Sequence, residues 1–321
     1  MSPTQVRQRF EMAGVSVSAG RRTTLELPIG RLMSGGPMAL PVLVLHGRND
    51  GPTMWLSAAV HGDELCGVEI IRRVMGSLDP RTLSGTLIAV PVLNVYGFNT
   101  GDRNLPDRRD LNRSFPGSPR GSLAARIAHL MMTEVVNRCS LGIDLHTGSD
   151  HRANLPQIRG DLEDRETLEM AERFGAPLSL NARTRDGSLR AAATRSGATV
   201  LLFEGGEADR FDEAAIDAGT AGVLRVMQGA SMISSAPEGP GRTRLSWSSG
   251  WVRAGRSGIA HMEVGLGDIV DKRQVLATVH DPFGKRVGTL RARVPGMVIG
   301  LTQRPLVNRG DAVAHIAELS D

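Results

Sequence analysis

The chain changes its hydrophobic period once, near Ser231, and that change limits the fold more than any other feature. Before it, short apolar runs alternate with stretches whose apolar residues recur at helical spacing. The runs 39–45, 54–60, 85–92, 139–145 and 199–203 read as strands, and 23–30 alternates as a further strand. Stretches 64–76, 122–138, 162–174, 190–197 and 211–228 read as helices; Leu65, Val68, Ile71 and Val74 form the apolar stripe of the first. Alternation of this kind predicts an α/β domain with a largely parallel sheet. Residues 234–241, Ser-Ser-Ala-Pro-Glu-Gly-Pro-Gly, are a linker by composition,. Beyond them only short alternating runs remain (247–252, 258–264, 275–280, 287–293, 297–301 and 312–317), with Gly or Pro turns between. They predict a small all-β unit. The expected division is 1–235 and 241–321, with 1–20 as an arm or a helix leading in. At 321 residues and 40% hydrophobic composition, the chain can build one large or two ordinary cores,.

His61 and Glu64 directly follow the run 54–60. Three residues apart on a tight turn or a first helical turn, they share a face, and an imidazole with a carboxylate can fill two positions around one zinc ion,. Alone, this pair reads first as a surface turn, because His-x-x-Glu recurs by chance. A catalytic zinc needs a third protein ligand, and the best candidate is His146 in Gly-Ile-Asp-Leu-His-Thr-Gly, where another strand runs into a polar loop,. Asp144 lies two residues before it on the same strand face and either orients it or caps the strand end,. Glu204 ends the run 199–203. In open α/β sheets, sites form outside the carboxyl ends of strands, and three chemically capable residues at three strand ends are the pattern of one site. His46 reads as structural. His151 lies near enough in sequence to reach the same pocket.

Composition narrows the function. With 38 basic and 34 acidic residues the net charge is only +4, no Lys/Arg block forms a nucleic-acid arm, and aromatics are 3%,. Nucleic acid is therefore not an expected partner, and arginines near a site point to small anions. No apolar stretch approaches membrane-spanning length, and the N-terminus lacks the apolar core of a signal peptide, so no membrane partner and a cytoplasmic location are expected,. Cys66 and Cys139 form no metal or redox motif and read as isolated thiols, with a disulfide as the alternative,. The 13 methionines read as core filler,. In the β region, Leu266-Gly267-Asp268 and Asn308-Arg309-Gly310-Asp311 suggest a pseudo-repeat of two hairpin units, reminiscent of biotinyl/lipoyl-type sandwiches, with Lys285 as the residue a carrier function would use,. A dimer or tetramer is the default expectation for assembly.

Between the two histidine segments, 100–117 is long and polar with almost no apolar period, which marks a functional loop,. It contains Arg103-Asn104-Leu105-Pro106-Asp107-Arg108-Arg109-Asp110-Leu111-Asn112-Arg113-Ser114-Phe115-Pro116-Gly117. With His61-Gly62-Asp63-Glu64 before it and Asp144-Leu145-His146 after it, the chain resembles the succinylglutamate desuccinylase/aspartoacylase family of the zinc carboxypeptidase superfamily. The resemblance implies a zinc-carboxypeptidase-like three-layer α/β domain with a mixed, largely parallel sheet, plus a small C-terminal all-β, barrel-sandwich-like domain. It implies one Zn(2+) per chain on His61, Glu64 and His146, a substrate carboxylate held by Asn112 and Arg113, and a scissile carbonyl polarised by Arg103, with Arg108 and Arg109 as competitors for that role. Glu204 would be the general base, with Glu207 as runner-up. The implied activity is removal of a small acyl group from an N-acylated amino acid or a related compound. A zinc carboxypeptidase acting on peptides is the alternative, and a non-catalytic metabolite sensor is a third reading.

Overall fold

The computed structural model describes residues 7–149 and 151–319. Its first elements are β1 (Phe10–Met12) and β2 (Val15–Val17), a hairpin where the sequence suggests an arm or a helix. Ala13 and Gly14 turn it, with φ of 49° and 76°,. Strands of three residues are too short to show a period,. Residues 1–6 of the expected arm lie outside the described residues.

The long antiparallel pair β3 (Arg21–Arg31) and β4 (Pro37–His46) follows. Next come β5 (Asn49–Ala58), α1 (Cys66–Ser77) and β6 (Ser84–Val90), a parallel pair joined by a crossover helix,. α1 buries Ile70, Ile71 and Val74 and turns its charged residues outward,. After α2 (Val95–Thr100) and α3 (Leu123–Leu130), the helix winds on through a π turn at Met131–Val135 and a 3-10 turn at Val136–Arg138. The single helix expected over 122–138 is thus three differently wound pieces; Met131, Met132 and Val135 of the wider turn and Val136 of the tighter one are all buried,.

The domain closes with β7 (Leu141–Gly148), β8 (Arg152–Gly160), α4 (Arg165–Phe174), β9 (Leu178–Asn181), α5 (Leu189–Arg195), β10 (Thr199–Glu207) and α6 (Glu213–Gly229). The strand order is β3-β4-β6-β5-β7-β10-β8, with β5, β6, β7 and β10 parallel and β3, β4 and β8 antiparallel to their neighbours. Leu40, Trp55, Ile127 and Leu189 fill the core under α3 and α5 on one face. Ile70, Phe174, Phe203 and Val223 fill the core under α1, α4 and α6 on the other. The result is a three-layer α/β arrangement around a mixed sheet.

The β-rich remainder comprises β11 (Arg244–Ser246), β12 (Ser249–Arg253), β13 (Gly258–Met262), β14 (Ile269–Val270), β15 (Val275–His280), β16 (Arg286–Arg291), β17 (Gly296–Thr302), β18 (Leu306–Val307) and β19 (Ala312–Glu318). One antiparallel sheet runs β16-β15-β13-β18. The other strands join the large sheet. β17 pairs with β8 at Arg152–Asn154, while β9 pairs with the other half of β8 at Gln157–Gly160, so the sheet forks at β8. β19 and β12 extend it beyond β17, and β11 lies parallel to β9. Leu276, Val279, Val298 and Val313 form the local core. The repeated Gly-Asp phrases fold alike: Asp268 Oδ2 accepts the Gly265 N–H and Asp311 Oδ2 the Asn308 N–H, both at 2.7 Å. Lys285 sits in the exposed β15–β16 turn. Both cysteines are free. Among the described residues, no helix is long and apolar enough to cross a membrane.

Candidate active site

β5, β7 and β10 are adjacent and parallel, so their carboxyl ends open on the same side. Glu204 is the register partner of His146, which places both side chains at one level and on one face,. Past β5 the backbone bends at Ala59, whose φ of 47° is uncommon for a residue with a side chain,. Leu93 N–H donates to Ala58 O at 3.0 Å and Asn94 N–H to Ala59 O at 2.8 Å, which holds the bend. Gly62 lies so close to the start of α2 that a Cβ there would come within 2.0 Å of the Gly97 carbonyl carbon. The bend and this close approach carry His61 and Glu64 over the end of β7.

Glu64 is buried between the two imidazoles. Its Oε1 is 2.6 Å from His61 Nδ1, and its Oε2 is 2.8 Å from His146 Nδ1. Thr147 N–H also donates to Oε2, at 3.2 Å. Each ring is gripped from behind: His146 Nε2 donates to Asp144 Oδ2 at 2.8 Å and His61 Nε2 to Asp110 Oδ1 at 3.3 Å. With Nε2–H engaged, each Nδ1 faces the carboxylate through its lone pair. Three such groups repel one another unless a proton or a cation lies among them. Burial alone raises the Glu64 carboxyl, yet the two rings hold it well below the ordinary carboxylate range,. Burial likewise opposes charge on the rings, but Glu64 with Asp110 raises His61, and Asp144 with Glu64 raises His146. Their ligand atoms lie within 4.8 Å of one another, so this place demands positive charge and can hold a metal ion,.

The long loop brings in the next groups. Asp110 caps a 3-10 turn at Leu111–Arg113 by accepting the Asn112 N–H at 2.8 Å,. Asn112 Oδ1 accepts the Leu189 N–H at 2.9 Å, which commits its oxygen to the protein and leaves the amide nitrogen for a ligand. Arg103 Nη1 donates to Ser149 Oγ at 2.6 Å and lies 3.4 Å from Glu64 Oε1. Glu204 Oε2 accepts from Asn154 Nδ2 at 2.7 Å, and its Oε1 lies 3.8 Å from Arg159 Nη1.

All of His61, Glu64, Arg103, Asn112, Arg113, His146 and Glu204 line one cavity of about 810 Å³. Other singled-out residues stand outside it. Glu207 pairs with Arg210, Arg108, Arg109 and His151 are exposed, and His46 is bound to Thr86 and the Gln8 carbonyl. Sequence reasoning missed Asp110 as a site residue, although the capping pattern Asp-x-Asn was in view. Asn154, Arg159, Arg190 and His315 gave no local signal. Eight arginines line the cavity against the two carboxylates Glu64 and Glu204, so its field favours anions,. Arg190 is buried, its Nη2 donating to the Ala182 and Arg183 carbonyls at 2.9 and 3.0 Å, and burial, with Arg159 adding to it, pushes its pKa down to about 10. Trp251 and His315, from β12 and β19, complete the wall.

Residues 50–230 match the succinylglutamate desuccinylase/aspartoacylase catalytic domain, more than half of the chain. The chain belongs to that family. Within it, the chain is 29% identical to the N-alpha-acetyl-L-2,4-diaminobutyric acid deacetylase of Halomonas elongata, over 99% of this chain and 96% of that protein. The structure of a family member from Rhodobacter sphaeroides superimposes with a TM-score of 0.84 at 28% identity, covering 95% of this chain and 98% of that one. The product-bound ectoine utilization protein EutE from Ruegeria pomeroyi superimposes with a TM-score of 0.82 at 27% identity, covering 93% and 94%. The family likeness therefore extends beyond the catalytic domain to the C-terminal strands.

Proposed function

We propose that this chain is a zinc-dependent amidohydrolase that removes a small acyl group from an N-acylated amino acid, with one zinc per chain on His61, Glu64 and His146. The observation that carries the reading is the pairing of Glu204 with His146 in register, inside an arginine-lined cavity. Bound zinc would supply a Lewis acid that brings the pKa of water towards about 7. Glu204, steadied by Asn154, takes a proton from the attacking water and returns it to the leaving nitrogen as the C–N bond breaks,. Arg103 sets positive charge where the carbonyl oxygen becomes an oxyanion. Asn112 and Arg113 hold the substrate carboxylate; the planar guanidinium can do so with two parallel bonds.

The Halomonas elongata relative, a deacetylase of an N-acetylated amino acid, supports this substrate class. Trp247 and Trp251 wall the cavity from beyond the linker, which favours a small substrate over a long peptide. The test is metal analysis with a screen of N-acetyl, N-succinyl and N-formyl amino acids beside dipeptides. Glu204→Gln should lower hydrolysis on the order of a thousandfold while zinc stays near one per chain. Retained activity in that variant, or a zinc-replete chain inert towards the whole panel, would overturn the reading.

A further inference from the structure

Resting on the deacylase reading, we propose that the cavity holds a second anion subsite built on Arg190, and that the amino-acid half of the substrate carries a second carboxylate on its side chain. Arg190 is 7% exposed and lines the cavity from the first turn of α5. Loop carbonyls occupy its Nη2, whereas its Nη1 is buried without a partner. Among the described residues no carboxylate comes within ion-pair reach of it, and Asp161 and Asp144 act on it only from further away. With a pKa of about 10, it is charged at neutral pH. A buried donor left in this state is costly, and such a group calls for an acceptor from outside the chain.

Arg159 adds to the demand. It stands close enough to oppose the charge of Arg190, its own Nε is buried without a partner, and its Nη1 comes no nearer to Glu204 Oε1 than 3.8 Å. Two guanidiniums that repel each other are both relieved by an anion lying between them.

This is a different place from the one proposed for Arg113. Arg113 is exposed and Arg190 is buried, so the two stand at different depths of the wall. Their spacing is fixed, because Asn112 Oδ1 holds the N–H of Leu189, the chain neighbour of Arg190, at 2.9 Å. One short ligand can therefore set a carboxylate on Asn112 and Arg113 and a second on Arg190. An N-acylated amino acid with an acidic side chain has that form. An amide of the same size brings an oxygen but no charge, and an amine would meet like charge. The chain departs here from the Halomonas elongata relative, whose diaminobutyric acid has an amine on its side chain.

Pairs of equal size read the charge alone. In at least one of the pairs N-acetylaspartate with N-acetylasparagine and N-acetylglutamate with N-acetylglutamine, kcat/KM should favour the acid on the order of 100-fold. N-acetyldiaminobutyrate should be slower than either acid. Arg190→Gln should bring the ratio within about threefold of unity, and Arg190→Lys, which keeps the charge, should retain about tenfold. A merely structural role for Arg190 would lower both members of a pair alike and leave the ratio where it was, which would overturn the assignment. A wild-type ratio near unity in both pairs would overturn it without any variant. So would a preference for N-succinylglycine over N-acetylglycine that Arg190→Gln abolishes, since the second charge would then belong to the acyl group. If wild type hydrolyses none of these compounds, the deacylase reading fails, and calorimetric titration of the same pairs into wild type still decides the subsite. Tighter binding of the acid by about tenfold or more supports it; equal affinity, or no binding of either member, overturns it.

Discussion

Asp144 and His146 stand on one face of β7, with His146 Nε2 donating to Asp144 Oδ2 at 2.8 Å. The other oxygen of Asp144 accepts the Ser57 hydroxyl from β5, also at 2.8 Å, and all three side chains are buried. The ring of a candidate metal ligand is thereby fixed from within its own strand and from the neighbouring one.

Asp144→Asn keeps the volume but sets an amide where a carboxylate faces the ring N–H. Zinc affinity is expected to fall about 10–100-fold, read by chelator competition. Ser57→Ala removes only the outer bond and should cost about 1 kcal/mol of stability in urea unfolding, with a smaller effect on zinc.

The convergence of Glu64 with two imidazoles exists only in the folded chain, so the proposed zinc site predicts that zinc stabilises the fold. Chelation should lower the melting temperature, and added zinc should restore it in a concentration-dependent way. Free zinc at a hundred times the dissociation constant contributes about 2.7 kcal/mol. A melting temperature indifferent to zinc would contradict the site.

The proposed role of Arg113 is to hold a carboxylate, a task in which lysine offers one point charge instead of a planar fork. Arg113→Lys should raise KM for N-acyl amino acids about tenfold and Arg113→Ala more, with kcat changed less. Substrates amidated at the carboxylate should not distinguish the variants.

His315 is 6% exposed, stacks on Trp251 at 4.6 Å between ring centroids, and lies with Nε2 3.0 Å from Ser249 Oγ. Burial, with Arg159 and Arg185 nearby, pushes its pKa down to about 3, against about 6.5 in an unfolded chain,. Between those values the unfolded chain binds a proton that the folded chain does not. Its contribution to stability is therefore complete above about pH 6.5 and is lost as the pH falls towards 3. From about pH 6 to 4, wild type should lose on the order of 1 kcal/mol per pH unit more than His315→Gln, measured by urea unfolding.

The legible parts of the molecule were those whose burial is uniform. β4, β5, β7 and β10 have near-continuous apolar runs because helices cover both faces of the sheet,. His61, His146 and Glu204 stood out because each interrupts or ends such a run. β8 was hidden for the opposite reason: Arg152, Asn154 and Arg159 face the cavity, so a strand deep in the sheet looks polar. The strands β9 and β11 are too short to carry a pattern. Asp110 was readable as a cap, but not as a partner of His61, which lies 49 residues away in sequence. Arg190 and His315 reach the cavity only through tertiary packing, which leaves no trace in local spacing.

The fork at β8 bears on how the chain can be cut. A fragment ending after α6 would retain His61, Glu64, His146 and Glu204, but it would lack β17 and bare the Arg152–Asn154 edge of β8. Unpaired backbone donors and acceptors at a sheet margin recruit other chains, so such a fragment would be prone to self-association. The C-terminal strands therefore protect a seam of the half that carries the candidate metal site, as well as walling its cavity.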